Sequence, residues 1–328
     1  RRRRRCGDHE GCAAGAAGLA LGPISALPAA EGTDPPIIDT HQHLWDLSKL
    51  SLPWVKSSPI LNRSFLLSDY LQATAGLGVV KAIYMEVAVE ASQKAAEADY
   101  IIGLCSQPNC LTRAAVIGAQ VASEGFRDYI RRYKGNQYIK GVREILRTAP
   151  GQKQVQISEA LVAGVRLLGE LGMSFDLCLP VKDLAQGAKL VDQCPGTRFI
   201  LDHCGNADPK AFRRPGSPAT EAATHDPDQW RRDIAALANR KNIVCKISGI
   251  ISRADRDHWT GDDLAPIVNH CLESFGPDRV MFAGDWPVCM RVATLRQWIT
   301  VLRQIVAPRS AVDRKKLFHD NAAQFYGV

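Results

Sequence analysis

From Pro36 onward, short runs rich in β-branched residues alternate with longer segments of helical periodicity. This alternation is typical of repeated βα units, whose strands pair in parallel. The run at residues 199–201 is apolar at every position, as expected of a strand that is buried on both faces of a parallel sheet. Eight such runs predict a (β/α)8 barrel over residues 36–328, with its active site at the C-terminal ends of the strands. An open, doubly wound sheet is the alternative, but no Gly-rich dinucleotide-binding turn follows the first run.

Two long segments are too polar, or too rich in Pro and Gly, to form strands or helices. They are residues 45–63, directly after the first strand, and residues 206–229, directly after the sixth. Because both would lie on the catalytic face of a barrel, we expect these loops to shape the substrate pocket. The predicted strands are residues 37–40, 79–87, 112–119, 139–144, 174–179, 197–202, 243–248 and 280–283. The predicted helices are residues 67–75, 92–107, 124–134, 158–171, 182–194, 227–240, 262–275, 295–306 and 310–325.

Residues 1–30 differ in composition from the rest of the chain, because a run of five arginines precedes a weakly apolar stretch rich in Gly and Ala. The segment resembles a twin-arginine export signal with cleavage near Ala29 or Ala30, which predicts a periplasmic or exported protein. An acidic stretch at residues 8–10 interrupts that pattern, so a basic tail on a cytoplasmic protein is the alternative. The apolar run is shorter than about 18 residues and is broken by glycine, so it predicts no membrane span.

This N-terminal segment, with five arginines and two acids, contributes +3 to the formal net charge of +7, which leaves +4 for the rest of the chain. The rest of the chain has no stripe of interleaved arginines and aromatic residues, so we predict no nucleic-acid partner. Ten cysteines occur without any Cys-x-x-Cys pair, which argues against a zinc ribbon or a redox dithiol. Most of them lie in apolar runs, where a free thiol behaves as a small hydrophobic group.

The first predicted strand leads into the sequence Asp39-Thr40-His41-Gln42-His43. In an extended backbone residues i and i+2 point to the same side, so His41 and His43 can both face the mouth of a barrel. Two imidazoles on one side can bind one metal ion or one substrate. Two unrelated histidines would give the same short pattern, so its meaning depends on what the other strands contribute.

Polar residues end several of the other predicted strands. Such groups are costly to bury at the end of an apolar strand unless they are paired or functional. We therefore predict that they meet at one rim of the barrel. They are Glu86 after strand two, Arg143 and Glu144 at strand four, His203 after strand six, Lys246 in strand seven and Asp285 after strand eight.

These motifs resemble the amidohydrolase superfamily, and within it the amidohydrolase-related branch that includes sugar-lactone and pyrone-dicarboxylate lactonases. The resemblance covers residues 36–328 and implies a distorted barrel. The segments that carry it are Ile37-Ile38-Asp39-Thr40-His41-Gln42-His43-Leu44-Trp45-Asp46, Gly141-Val142-Arg143, Leu201-Asp202-His203-Cys204-Gly205, Lys246-Ile247-Ser248-Gly249, Gly284-Asp285-Trp286-Pro287-Val288 and the closing residues 321–327.

The resemblance implies that His41, His43, His203 and Asp285 surround the reacting carbonyl. It also implies that Asp285 takes a proton from the attacking water and returns it to the leaving group, and that His203 is the second catalytic residue. The resemblance further implies one divalent metal ion, with zinc expected, held by His41, His43 and Asp285, with Glu86 as a further ligand. No lysine stands where a carbamylated bridging lysine is expected on strand four, so a binuclear centre is not predicted. Because related lactonases work with and without metal, a metal-free site is the alternative.

The predicted substrate-binding residues are Arg143, Lys246, Trp45 and Trp286. The planar guanidinium of Arg143 suits a carboxylate or a hydroxyl-rich substrate, and a salt bridge with Glu144 is the alternative. Lys246 either reaches the pocket or pairs with Asp202 or Asp285. For the two tryptophans, packing within the core is the alternative to walling the pocket.

We predict a hydrolase that opens the lactone ring of a sugar acid or of a related hydroxylated or carboxylated lactone. The first alternative is a metal-dependent decarboxylase of an aromatic or unsaturated carboxylic acid, a lyase carried by sister families. Those families tend to have a further histidine on strand five, where this chain has Phe175-Asp176-Leu177-Cys178. The second alternative is a barrel that binds a sugar acid without turnover, which would make Asp285 dispensable. The expected partner is the small-molecule lactone or sugar acid, and a homo-oligomer is compatible with the sequence.

Overall fold

Eight parallel strands form one sheet, in the chain order β1 to β8, in the computed structural model of this protein. The structure describes residues 34–214, 216 and 221–328. The predicted (β/α)8 barrel is confirmed. The export segment at residues 1–30 lies outside the described residues, so export stays a prediction. The strands are β1 Ile37–Gln42, β2 Val79–Met85, β3 Thr112–Gly118, β4 Ile139–Ile145, β5 Ser174–Cys178, β6 Arg198–Leu201, β7 Ile243–Ile247 and β8 Val280–Phe282.

The seam between β1 and β8 closes the barrel differently from the other strand pairs, each of which forms a parallel ladder of at least three residue pairs. One parallel bridge joins Gln42 to Trp286 here. Two further bonds across the seam use side chains: the Thr40 hydroxyl donates to a carbonyl of β8 (2.7 Å), and the Gly284 amide donates to the Asp39 carboxylate (2.7 Å). The barrel is therefore nearly closed, and its seam depends on side chains of β1.

Helices follow the strands at the predicted places. Ser158 caps one of them by accepting a hydrogen bond from the Leu161 amide, and Asp226 caps the helix that begins at Pro227. The last predicted helix is interrupted by a π-helical segment, Lys316–Asp320, in which the adjacent residues Leu317 and Phe318 are both buried. The helices are Leu67–Thr74, Lys94–Cys105, Phe126–Arg131, Glu159–Glu170, Leu184–Gln193, Pro227–Ala238, Gly261–Phe275, Leu295–Val306, Ala311–Lys315 and Asn321–Tyr326.

The side chains of the strands divide between two apolar clusters, because successive residues point to opposite faces. Residues such as Ile37 and Phe199 belong to the large core that also contains the helix side chains. A smaller cluster joins alternate strand residues to Tyr326 of the last helix. Its strand members include Ile38, Ile83, Val116, Ile200 and Met281. The polar residues predicted for the site follow these apolar ones along the strands.

Burial of the cysteines agrees with their position in apolar runs of the sequence. The eight cysteines among the described residues are all free and buried. Three of them, Cys204, Cys245 and Cys271, have sulfur atoms within 4.8 Å of one another. In the part of the chain that the structure describes, no helix combines the length and the apolar character needed to span a membrane.

Candidate active site

The two histidines of the His-x-His motif face Asp285, which follows β8. The distance from His43 Nε2 to Asp285 Oδ1 is 3.4 Å, and from His41 Nε2 to the same oxygen it is 3.8 Å. His41 belongs to β1 itself, which continues to Gln42. The ring of His43 is fixed by a hydrogen bond of 2.9 Å between Nδ1 and the Met85 carbonyl. The structure thus brings these three predicted residues together.

His203 supplies a third imidazole from the end of β6. Its ring centroid lies 4.5 Å from that of His41. Nδ1 of His203 lies 2.9 Å from the Ser248 hydroxyl, so Nε2 is the nitrogen left for a ligand or substrate. Gly249 packs directly on this ring: a Cβ at this position would lie 2.4 Å from Cγ of His203. The Lys-Ile-Ser-Gly motif therefore orients His203. Ser248 supplies a hydroxyl for Nδ1, and Gly249, which has no side chain, leaves room for the ring.

The backbone at both strand ends is left-handed. The four consecutive residues from His203 to Asn206 have φ of 55°, 51°, 65° and 59°, and Asp285 has φ of 52°. This conformation is unfavourable by about 1–2 kcal/mol for a residue that has a Cβ atom. Such strain persists where the surrounding structure imposes it, and it is concentrated at functional sites. Here it turns His203 and Asp285 toward the mouth of the barrel.

We expect His203→Gly to have a larger free energy of unfolding than His203→Ala, by about 1 kcal/mol, because only glycine adopts this φ without a Cβ penalty. Both variants lose the imidazole, so the comparison isolates the backbone. Urea denaturation followed by fluorescence measures the difference. The same pair at His270, inside the helix Gly261–Phe275, is the control and should show the opposite order. A His203→Ala variant more stable than His203→Gly would contradict the strain argument.

Burial and neighbouring charges set the ionisation of the site. Burial lowers the pKa of His41 well below its usual value, and it lowers the pKa of His203 as well. Burial alone would raise the pKa of Asp285, but the imidazoles of His203, His43 and His41 hold that pKa below its usual range. The resting site therefore contains an ionised Asp285 carboxylate, and burial favours the neutral imidazole in His41 and His203, the form that binds a metal ion or accepts a proton.

A buried carboxylate, Asp202, connects three cationic or ionisable side chains behind the site. Its oxygens lie 3.6 Å from His41 Nδ1, 3.6 Å from Arg143 Nη1 and 3.4 Å from Lys246 Nζ. Lys246 lies 2.5 Å from Asp176 on β5 and is completely buried. The prediction that Lys246 contacts the substrate is wrong, because this side chain does not line the cavity; the alternative, a pair with Asp202, is what the structure contains.

Arg143 pairs with Glu86 and not with Glu144, the partner that the alternative prediction named. Its Nε donates to Glu86 Oε1 (2.7 Å), and its Nη2 donates to the Glu86 carbonyl (2.7 Å). The other Glu86 oxygen accepts a hydrogen bond from the Ala88 amide (2.7 Å). Both carboxylate oxygens are engaged, so the structure shows Glu86 as a partner of Arg143 and of the Ala88 backbone, and its role as a metal ligand stays a prediction. Arg143 does line the cavity, with its Nη1 3.2 Å from His41 Nε2.

The two predicted pocket tryptophans pack within the core. Trp45 is completely buried, and its ring contacts Phe65 edge-on at a centroid distance of 5.0 Å. Trp286 contacts Phe65 and Tyr70, each at 5.3 Å. Neither indole lines the cavity, so the prediction of substrate contact is corrected to the packing alternative. Trp54, from the long loop after β1, is the tryptophan that does line it.

A cavity of about 820 Å³ opens above these groups at the C-terminal ends of the strands. His43, His203, Asp285 and Arg143 form part of its wall. The sequence analysis missed several other polar lining residues, because they lie on loops outside any motif. Their only signal was their position shortly after a strand end. They are Arg147, Thr148, Ser252, Arg253 and Arg291, whereas Asn206 begins the loop of residues 206–229 that was predicted to shape the pocket.

A family model described as amidohydrolase (Amidohydro_2) matches residues 38–328, nearly the whole barrel. The chain belongs to this amidohydrolase family. This amidohydrolase is 25% identical to the L-fucono-1,5-lactonase of Burkholderia multivorans, over 89% of this chain and 96% of the relative. The structure of an amidohydrolase from Burkholderia multivorans with bound zinc has a TM-score of 0.75 at 21% identity, over 89% of this chain and 99% of that one. The 2,6-dihydroxybenzoate decarboxylase from Rhizobium has a TM-score of 0.59 at 14% identity, over the same shares. At these identities the two structures show a common fold.

The donor atoms of this amidohydrolase fit one divalent metal ion. His41, His203 and Asp285 each offer an atom within 4.8 Å of the other two, and all three residues are buried. Two imidazole nitrogens and one carboxylate oxygen are ligands that zinc accepts, with a further position open for water. His43 stands beside this group, so the candidate donor group contains His203 in place of the predicted His43, and it does not contain Glu86.

Glu97 is a buried acid on the helix that follows β2. Its Oε1 accepts hydrogen bonds from the Tyr84 hydroxyl (2.9 Å) and from the Val87 amide (2.6 Å). Burial, and then the nearby charge of Glu86, raise the pKa of Glu97 to about 7. An acid whose pKa is higher in the folded state than in the unfolded chain favours folding while it is protonated. This contribution to the free energy of unfolding is lost as the pH rises from the pKa of the unfolded chain to the pKa of the folded state.

Between pH 4.5 and 8, we expect the free energy of unfolding of the wild type to decrease by about 3 kcal/mol more than that of Glu97→Gln. The reason is that glutamine acquires no charge in the buried position. Urea denaturation of both proteins at several pH values measures this difference. Glu170→Gln, at an exposed position, is the control and should keep the wild-type pH dependence. Equal pH dependence of Glu97→Gln and wild type would show that Glu97 does not titrate in this range.

Proposed function

We propose that this amidohydrolase hydrolyses the ester bond of a lactone whose ring bears hydroxyl or carboxyl groups. The observation that carries the proposal is the carboxylate of Asp285 set between the imidazoles of His41, His43 and His203 on the wall of a large cavity. Ring opening by water needs a base near the attacking oxygen and then an acid near the departing alkoxide. The name of the 25% identical relative, a sugar-acid lactonase, supports the same reaction class.

The residues of the site divide this work between them. Asp285 accepts a proton from the attacking water and returns it to the ring oxygen as the C–O bond breaks, so one carboxylate serves both half-steps. Ser248 fixes the ring of His203 through Nδ1 and leaves Nε2 toward the cavity. Asp202 lies behind His41, 3.6 Å from Nδ1, while Nε2 of His41 faces Arg143 Nη1 (3.2 Å) and Asp285 (3.8 Å). The two imidazoles are thereby oriented before the substrate arrives.

We also propose that His41, His203 and Asp285 hold one divalent ion, with zinc favoured by the zinc-bound structural relative. Such an ion, when bound, lowers the pKa of its water to about 7 and polarises the lactone carbonyl. We expect elemental analysis of the purified protein to find one equivalent of metal, and His41→Ala to reduce it at least tenfold. His270→Ala is the matched control, because His270 lies outside the cavity. Full metal content in His41→Ala would reject this ligand set.

The decisive experiment for the function is proton release from a panel of lactones, followed with a pH indicator. Hydrolysis of a lactone produces one carboxylic acid, which is ionised at neutral pH, so each turnover releases one proton. Turnover of at least one hydroxylated or carboxylated lactone is expected. Absence of proton release from the whole panel, with metal-loaded and folded protein, would reject lactone hydrolysis.

A decarboxylase is the second candidate, and one observation favours it: the cavity contains several arginines that suit a carboxylic acid. Against it, strand β5 presents Asp176, which is committed to Lys246, and none of its five residues is a histidine. Carbon dioxide release from aromatic or unsaturated acids would support this candidate. Tight binding of a sugar acid without either product would support the third alternative, a barrel that binds without turnover.

A further inference from the structure

Arginines dominate the charge of the cavity wall. Its lining residues include four arginines but, among the described residues, one carboxylate, that of Asp285. Arg143 is committed to Glu86 deep in the wall. The other three, which we call the rim arginines, are exposed and follow three different strands. They are Arg147 after β4, Arg253 after β7 and Arg291 after β8.

The rim arginines lack acidic partners. None of them forms an ion pair within residues 34–214, 216 and 221–328, whereas Arg213 and Arg240 do, with Asp255 and Asp192. Arg253 donates to the side-chain oxygen of Asn206 (2.9 Å), a neutral group. The guanidinium of Arg291 lies 5.9 Å from the centroid of the Trp54 ring. Three positive charges around one opening therefore stay uncompensated and attract anions into the cavity.

This charge pattern separates two kinds of lactone. A neutral sugar lactone offers only hydroxyls and a carbonyl, which do not need three guanidinium groups. A carboxylate matches the planar fork of a guanidinium and forms short, charge-assisted hydrogen bonds with it. A negatively charged substrate would also be repelled by the ionised Asp285, and the rim arginines offset that repulsion.

We propose that the rim arginines bind a carboxylate which the substrate carries in addition to its lactone carbonyl. This inference rests on the proposed lactone hydrolysis and specifies its substrate class: a lactone of a sugar diacid, or a lactone with a similarly placed carboxylate. The lactonase relative, in contrast, is named for a lactone without a free carboxylate.

A matched pair of probes tests the proposal: the 1,4-lactone of galactonic acid and the 1,4-monolactone of galactaric acid. They share the ring and differ in one terminal group, a neutral hydroxymethyl against a carboxylate. We expect kcat/KM to be about 10- to 100-fold higher for the galactaric lactone, as charge-assisted hydrogen bonds to a carboxylate provide. Because the rim is exposed, this ratio should decrease as the salt concentration rises.

Substitution of the rim arginines tests whether they cause the preference for the galactaric lactone. Arg147→Gln, Arg253→Gln and Arg291→Gln, singly and together, should lower the ratio of the two kcat/KM values, mainly through a higher KM for the galactaric lactone. Arg127→Gln, at an exposed arginine outside the cavity, should leave the ratio as in the wild type. A ratio near one in the wild type, or rim variants that change both lactones equally, would overturn the proposal.

Failure of lactone hydrolysis itself can be told apart from failure of this inference. If neither lactone is hydrolysed, isothermal titration with the open-chain acids galactarate and galactonate tests the rim alone. Tighter binding of the dicarboxylate, lost in the triple variant, would support an anion-binding rim on a protein with another reaction. Equal binding of both acids would overturn the rim assignment.

Discussion

Replacement of Asp285 by Asn is expected to lower the turnover of a lactone substrate by about 100- to 10,000-fold, the usual contribution of a general base and acid. Asparagine has nearly the same size as aspartate but cannot accept a proton from water. The carboxylate lies 3.4 Å from His43 and 3.8 Å from His41, so the substitution also removes a negative charge that faces both imidazoles. Proton release, measured with a pH indicator at saturating substrate, gives kcat directly.

A matched substitution distinguishes loss of chemistry from loss of folding. Asp192→Asn removes an exposed carboxylate that pairs with Arg240 outside the cavity, and should leave kcat unchanged. Circular dichroism and a urea melt of Asp285→Asn should show a folded barrel. If Asp285→Asn is folded and keeps kcat within about twofold, the base role is refuted and the proposed hydrolysis has to use another residue.

Lys246→Met is expected to reduce the free energy of unfolding by about 3–5 kcal/mol at neutral pH, because removing one partner leaves a buried charge uncompensated. The lysine is completely buried, 2.5 Å from Asp176 and 3.4 Å from Asp202, and methionine has a similar volume without the charge. Urea denaturation measures the loss. The deficit should become smaller at acidic pH, where the stranded carboxylates take up protons.

A double variant tests whether the loss is electrostatic. Lys246→Met combined with Asp176→Asn removes a positive and a negative charge together, and should recover a large part of the stability lost in Lys246→Met. Asp176→Asn alone leaves Lys246 with Asp202 and should cost less than Lys246→Met. If the double variant is as unstable as the sum of the single variants, packing and not charge determines the role of Lys246.

The barrel could be predicted from the sequence because each strand is a short apolar run between helices of clear period. The convergence of His41, His43 and Asp285 was likewise predictable, since parallel strands bring their C-terminal ends to one rim. His203 was predicted as a catalytic residue, but its place in the candidate group of metal donors was not predicted, because that place depends on the left-handed turn after β6. His203 and Asp285 reach the cavity through a left-handed backbone conformation, which no local sequence pattern indicated.

The errors share one physical cause: the sequence does not show which polar groups face each other across the barrel. Glu86 and Arg143 are 57 positions apart, yet they form one ion pair. Lys246 and Asp176 are 70 positions apart and neutralise each other in the same way. These pairings fix Glu86 beside Arg143 and Lys246 beside Asp176, which their positions in the sequence do not reveal. The rim arginines were missed for a different reason: they lie between the strands and the helices that follow, and have no motif around them.

The closure of the barrel has a consequence for how the protein should lose activity on heating. The strands beside the seam carry the reactive groups, His43 after β1 and Asp285 after β8, while the seam itself rests on one bridge and on the side chains of Thr40 and Asp39. A slight separation there would draw the carboxylate away from the imidazoles while the other seven strand pairs stay intact. Thermal inactivation is therefore expected to set in several degrees before the helices melt, and substrate bound across the gap should delay it.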